Sequence, residues 1–80
     1  MRGVMGIDDI PWEGRVRFLG DDLRDEAWDW LLLKALLYRL DAQDRMQTER
    51  AEILTAFLER FRESDIEGMR AAVADLEGTL

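Results

Sequence analysis

Apolar residues in the C-terminal half of the chain recur three and four positions apart, which predicts helices that bury one side. They fall into two groups. The first group comprises Met46, Ile53, Leu54, Phe57, Leu58 and Phe61, and the second comprises Met69, Ala72, Val73, Leu76 and Leu80. We expect two amphipathic helices, the second of which ends near Gly78, because glycine commonly terminates helices.

Polar residues that can cap the N-terminus of a helix precede both groups. Asp44 with Gln47, and Ser64 with Glu67, have the three-residue spacing of a capping box, and Thr48 is a further cap for the first of these helices. Each helix is therefore predicted to begin beside its own cap, after a short polar break.

The segment from Trp30 to Leu40 is apolar on almost every side of a helix, with only Lys34 and Arg39 as interruptions. Because a helix that is apolar all round is normally buried all round, we expect this segment to lie at the centre of the core. Asp21 or Asp22 is a suitable N-cap, so this first helix is predicted to run from there to about residue 40 or 42.

The first twenty residues have a different character, with four of the six glycines and the only proline. Polar and apolar residues alternate from Arg15 to Phe18, which is typical of a half-buried strand. Residues 4–10 are a candidate partner strand, with residues 11–14 as the turn. The sequence thus predicts a mainly α protein: a single domain, residues 1–80, with three helices over 21–80 and an irregular segment or short β-hairpin over 1–20, the hairpin giving an α+β alternative.

The amino-acid composition narrows the range of possible functions. The chain has no cysteine and no histidine, so the commonest nucleophiles, general bases and zinc ligands are missing. We expect no catalytic activity, no metal site and no cofactor. A net charge of −7 disfavours direct binding to nucleic acid or an anionic membrane and favours a basic partner. With no apolar run of transmembrane length, we expect a cytoplasmic protein.

Acidic residues concentrate at the start of the predicted first helix. Asp22, Asp25, Glu26 and Asp29 fall within about 100° of one another on a helical wheel and form a stripe, with Asp21 beside them. The helix dipole explains carboxylates in the first turn, but like charges four residues apart cost a few tenths of a kcal/mol each.

The stripe has two interpretations. It can imitate the phosphates of a nucleic acid, extended by Asp8, Asp9 and Glu13 if the N-terminal segment lies alongside. It can also be a solvated face that only keeps the protein in solution. Trp28 is a candidate contact residue if exposed, since tryptophan is enriched at interface hot spots, but it can equally pack on the N-terminal hairpin. Trp30 points the other way, toward the predicted core.

A small, acidic, mostly helical chain without catalytic motifs resembles, by type only, the anti-CRISPR proteins that phages encode. The resemblance rests on size, charge and missing enzyme chemistry, and no motif carries it. It implies a stoichiometric inhibitor in the bacterial cytoplasm, a DNA mimic that blocks the basic nucleic-acid-binding surface of a partner such as a CRISPR effector complex. The alternatives are a helical oligomerisation or adaptor protein, including a homodimer, and an antitoxin-like regulator, all held by apolar contacts.

Overall fold

The computed structural model describes residues 10–80, which form four helices in place of the three predicted. These are α1 (Trp12–Arg24), α2 (Trp28–Asp44), α3 (Thr48–Arg62) and α4 (Ile66–Glu77). Each helix packs on the next one along the chain: α1 on α2, α2 on α3, and α3 on α4. The first and last helices, α1 and α4, also pack on each other. The four helices therefore close a ring around one core, and the prediction of a mainly α protein is confirmed.

The predicted hairpin is wrong in the part that the structure describes. Residues 15–20 are helical, and Val16, Leu19 and Leu23 turn one side of α1 into the core. Their three- and four-residue spacing outweighs an alternation that covers only four residues. Pro11, with extended backbone, directly precedes the helix, where its missing N–H costs nothing. The first predicted strand, residues 4–10, lies outside the described residues except for Ile10.

The single helix predicted from residue 21 to about residue 42 is also wrong. Asp21 to Arg24 end α1, and residues 25–27 form a turn before α2 begins at Trp28. Glu26 has a left-handed backbone, with φ 59°. Its N–H donates to the Leu23 carbonyl, and the N–H of Ala27 donates to the Asp22 carbonyl. This pair of hydrogen bonds is the Schellman ending of a helix.

The same three-residue turn joins all four helices. Met46 and Ser64 occupy the position equivalent to Glu26, with φ of 58° each and the same pair of hydrogen bonds. A left-handed residue here is usually glycine. None of the three is, so no glycine in the sequence marks these helix ends.

The two predicted capping boxes do not form. Asp44 is the last residue of α2, and Gln47, which precedes α3, makes no side-chain cap. The α4 cap is Asp65, whose side chain accepts a hydrogen bond of 2.9 Å from the Gly68 N–H. Ser64 is unable to cap because it is the left-handed residue of the preceding turn.

The core takes one side of each helix. The side chains with no more than 2% exposure and the largest volumes are Phe57, Leu19, Leu31, Leu54, Met69 and Leu76. The predicted apolar side of α4 is confirmed except at Leu80, which is 57% exposed, and that of α3 is confirmed except at Met46, which lies in a turn. None of the helices between residues 10 and 80 is both long and apolar enough to cross a membrane.

Candidate protein-interaction surface

Helix α2 has two apolar sides that differ in their surroundings. One side is buried in the core and consists of Leu31, Ala35, Tyr38 and Ala42. Its two alanines are fully buried, so the neighbouring helices approach the α2 backbone closely.

The opposite side of α2 faces solvent, and we call it the outer face. It consists of Trp30, Leu32, Leu33, Leu36, Leu37 and Leu40, which are 36–62% exposed. At 100° per residue these six side chains span an arc of about 160°, centred opposite the buried side. The expectation that this helix is buried all round is therefore wrong, as is the placement of Trp30 in the core. The two helices that pack on α2, namely α1 and α3, cover only one side of it.

The outer face continues into a groove between α2 and α3. A depression of about 350 Å³ is lined by Leu32, Leu36, Arg39, Leu58, Phe61 and Arg62. A second depression, of about 270 Å³, adjoins it at Phe61 and extends to Trp28, Ile66 and Met69. Trp28 is half-buried and packs edge-on against Phe61, with 6.5 Å between ring centroids. It thus belongs to the groove wall, and within the described residues it has no hairpin to pack on.

The charged residues at this surface that make no salt bridge within the described part of the chain include Arg39 and Asp29. Arg39 makes no salt bridge there, and its Nε is buried with no hydrogen-bond acceptor. Asp29, in the first turn of α2, is exposed and also makes no salt bridge with any residue from 10 to 80. The Arg39 guanidinium makes no salt bridge among residues 10–80, so a carboxylate from a bound molecule would supply the ion pair that it lacks there.

The acidic residues do not form the predicted stripe, because the α1–α2 turn divides them. Asp22 lies on α1, is mostly buried and pairs with Lys34 at 2.8 Å. Asp21 pairs with Arg24 at 2.8 Å. Asp25 and Glu26 are exposed in the turn itself. Of the residues of the predicted stripe, the structure thus keeps exposed carboxylates together only around this turn.

The remaining predicted contact residues are not part of that group. Glu13 lies in the first turn of α1, roughly 18 Å along the helix axis from Asp25, and is within 3.5 Å of Arg17. Asp8 and Asp9 lie outside the described residues. A continuous acidic surface from Glu13 to Asp29 is therefore not present.

A buried polar cluster, which sequence reasoning missed, fastens α1 to α2. Arg15 is 5% exposed, and its Nη1 donates to Asp41 Oδ2 at 2.5 Å while its Nε donates to the Ile10 carbonyl at 3.1 Å. Arg45 Nε donates to the other carboxylate oxygen of Asp41 at 3.1 Å. The Arg15 guanidinium also lies 5.7 Å from the centre of the Tyr38 ring. The cluster satisfies a buried charge and fixes the position of α2 against α1.

The cluster shifts the protonation of its members. Burial by itself raises the pKa of the Asp41 carboxyl, but hydrogen bonds from Arg15 and Arg45 outweigh it and leave that pKa below its ordinary value. Burial raises the pKa of Tyr38, partly offset by Arg15. Arg50 lies beside the cluster, with its guanidinium 4.8 Å from the centre of the Trp12 ring, and burial, with the charge of Arg15, lowers its pKa. Asp41 therefore stays ionised at neutral pH, as a structural salt bridge requires.

Among residues 10–80, no three His, Cys, Asp or Glu side chains are placed to hold a metal ion together. Comparison of the chain with protein-family models, with curated proteins and with solved structures finds no match.

Proposed function

We propose that this protein is a non-enzymatic helical interaction module, an adaptor that binds its partner through the outer face of α2. The observation that carries the proposal is the exposure of six large apolar side chains on one side of one helix. Scattered exposed leucines are ordinary, but a contiguous apolar surface rimmed by polar residues is typical of an interface. Trp30, 62% exposed within this surface, is of the residue type most enriched at binding hot spots.

The energetics favour a partner that brings an apolar surface of its own. Burying the exposed half of a leucine contributes about 1 kcal/mol. Burial of the six side chains of the outer face together contributes about 6–8 kcal/mol of favourable free energy. Association costs about 4–15 kcal/mol in lost translational and rotational freedom. A partner with a matching apolar helix adds a similar gain and makes binding net favourable.

A second candidate is the acidic inhibitor of anti-CRISPR type. The exposed carboxylates of Asp25, Glu26 and Asp29 around one turn favour it. Ion pairing of Asp21 with Arg24 and of Asp22 with Lys34 weakens it, because the field that a basic partner meets is reduced. The two candidates differ in the force that holds the partner, so salt separates them.

The experiment compares capture of bacterial lysate proteins by the wild type and three variants, at low salt and at about 1 M salt, where exposed charges are screened beyond about 3 Å. Leu33→Lys places a charge at the centre of the outer face. Met46→Lys is the matched control, because Met46 is 88% exposed but lies in a turn. Asp25→Lys with Glu26→Lys reverses two of the three exposed charges around the α1–α2 turn. Circular dichroism confirms that each variant is folded.

The interaction module predicts a captured partner, or a second copy of the chain, that persists at high salt. Leu33→Lys should abolish the capture, whereas Met46→Lys and the acidic double variant should retain it. Capture that is lost at high salt and in the acidic variant, but retained by Leu33→Lys, would contradict the proposal and favour the inhibitor.

A further inference from the structure

We propose that the partner of the outer face is a second copy of this chain, with the two α2 helices packed antiparallel about a two-fold axis. This inference rests on the proposed function and names the occupant of the same surface. Three features of α2 support it: the order of its apolar residues, the positions of two charges, Asp29 and Arg39, that make no salt bridge among residues 10–80, and the area that pairing buries.

The apolar residues of the outer face match themselves when the helix is reversed. An antiparallel two-fold pairing whose axis passes between Leu33 and Leu36 places each of these residues opposite the other in the second copy. The same pairing brings the Trp30 end of one helix alongside the Leu40 end of the other. A symmetric interface of this kind needs a self-complementary surface, and the outer face is one.

The charges of Asp29 and Arg39 match in the same arrangement. Asp29 and Arg39 lie ten residues apart, about 15 Å along the helix, on opposite sides of the same two-fold axis. Antiparallel pairing therefore brings Asp29 of each copy to Arg39 of the other, and two symmetric ion pairs close the interface. A parallel pairing would place Asp29 against Asp29 and Arg39 against Arg39. Charge complementarity thus selects the antiparallel orientation.

The area is sufficient for a weak but specific dimer. Side chains exposed by 36–62% over six positions offer roughly 500 Å² per copy, so pairing removes roughly 1,000 Å² from water, near the lower limit for a specific interface. Each copy carries a net charge of −7, which opposes association over a longer range. Added salt should therefore strengthen the dimer overall, since it screens this repulsion while apolar contacts persist.

The test is a charge swap read by sedimentation equilibrium over about 10 µM to 1 mM, a range that brackets a weak dimer. Asp29→Arg and Arg39→Asp each replace both attractive pairs by repulsive ones, and each should weaken self-association at least about tenfold. In an equimolar mixture of the two variants, a mixed dimer can form from one copy that has arginine at positions 29 and 39 and one copy that has aspartate at both. Both pairs are attractive in that mixed dimer, so mixing should restore association to about the wild-type level.

A distance measurement fixes the orientation. The chain has no cysteine, so Gln43→Cys carries a single spin label per copy. In the antiparallel dimer the two labels lie on opposite ends, about 25 Å apart along the axis, whereas in a parallel dimer they are neighbours. A short distance would overturn the inference, as would a mixture that associates no better than its two components.

The inference and the proposed function fail in different ways. Wild-type protein that stays monomeric up to about 1 mM, yet captures another protein in a manner abolished by Leu33→Lys, overturns the dimer and leaves the interaction module standing. A dimer that Leu33→Lys does not disturb uses another surface and also overturns the inference. Loss of the dimer in Leu33→Lys with retention in Met46→Lys supports it.

Discussion

Leu31 and Leu33 are two residues apart on α2 and provide a matched test of its two sides. Leu31 is fully buried, while Leu33 is 46% exposed on the outer face. Truncation of a fully buried leucine to alanine loses transfer free energy and leaves a cavity, so we expect Leu31→Ala to lower the free energy of unfolding by about 3 kcal/mol. Leu33→Ala removes a side chain that is half in water and leaves no cavity, so its cost should be about 1 kcal/mol or less.

The difference is large for a domain of this size. An 80-residue domain has a total stability of about 4–12 kcal/mol, and 1 kcal/mol corresponds to about 4–8 °C in Tm. Urea denaturation followed by circular dichroism at about 2 µM, well below the expected dimer range, should show Leu31→Ala shifted far more than Leu33→Ala. Equal losses for the two variants in dilute protein would refute the assignment of Leu33 to an exposed face.

Three further predictions concern stability and are read by the same denaturation curves. Asp41→Asn should cost about 3 kcal/mol at neutral pH, because it removes the ionised carboxylate that pairs with the buried Arg15. Since the pKa of Asp41 is lowered in the folded state, this difference should be complete above about pH 4 and vanish as the pH falls through that lowered pKa. A difference that does not change with pH would contradict the assignment. Met46→Gly should stabilise the protein by about 0.5 kcal/mol, because glycine adopts the left-handed turn backbone without strain, and a loss of stability would contradict this. Gly68→Ala should cost about 1–2 kcal/mol through the lost helix cap, because an added Cβ would collide with the Asp65 carboxylate. The control Gly20→Ala should instead stabilise α1 by about 0.5–1 kcal/mol, since its Cβ would meet Val73 at an ordinary 3.9 Å.

Sequence patterns predicted α3 and α4 because each has one apolar side and one polar side. The buried residues Leu54, Phe57 and Leu58 of α3 have the spacing that a periodic search detects. The ends of the helices were less predictable. Each inter-helix turn depends on a left-handed residue, and glutamate, methionine and serine give no local indication of that conformation.

Because the turn between α1 and α2 was not predicted, the acidic stripe was predicted wrongly as well. When residues 21–42 are drawn as one helix, Asp22 and Asp29 share a side and form a stripe; in the structure they lie on different helices. The sequence did show that α2 is apolar all round. It did not show which part faces water, because that depends on how many neighbours pack on the helix, and here the ring of four helices leaves one full side uncovered.

Exposure of Trp30 tests the central claim most directly. The three tryptophans, labelled with fluorine, give separate NMR signals: Trp30 reports the outer face, Trp28 the groove wall, and Trp12, whose ring centre lies 5.3 Å from the Arg15 guanidinium, the buried polar cluster. In dilute protein, a soluble paramagnetic reagent should broaden the Trp30 signal most, since that side chain is 62% exposed and the other two are partly buried. On raising the protein concentration to about 1 mM, into the range of a weak dimer, the Trp30 signal alone should become protected. A Trp30 signal that is already protected in dilute protein, or one that stays equally exposed at high concentration and with any captured partner bound, would contradict the account.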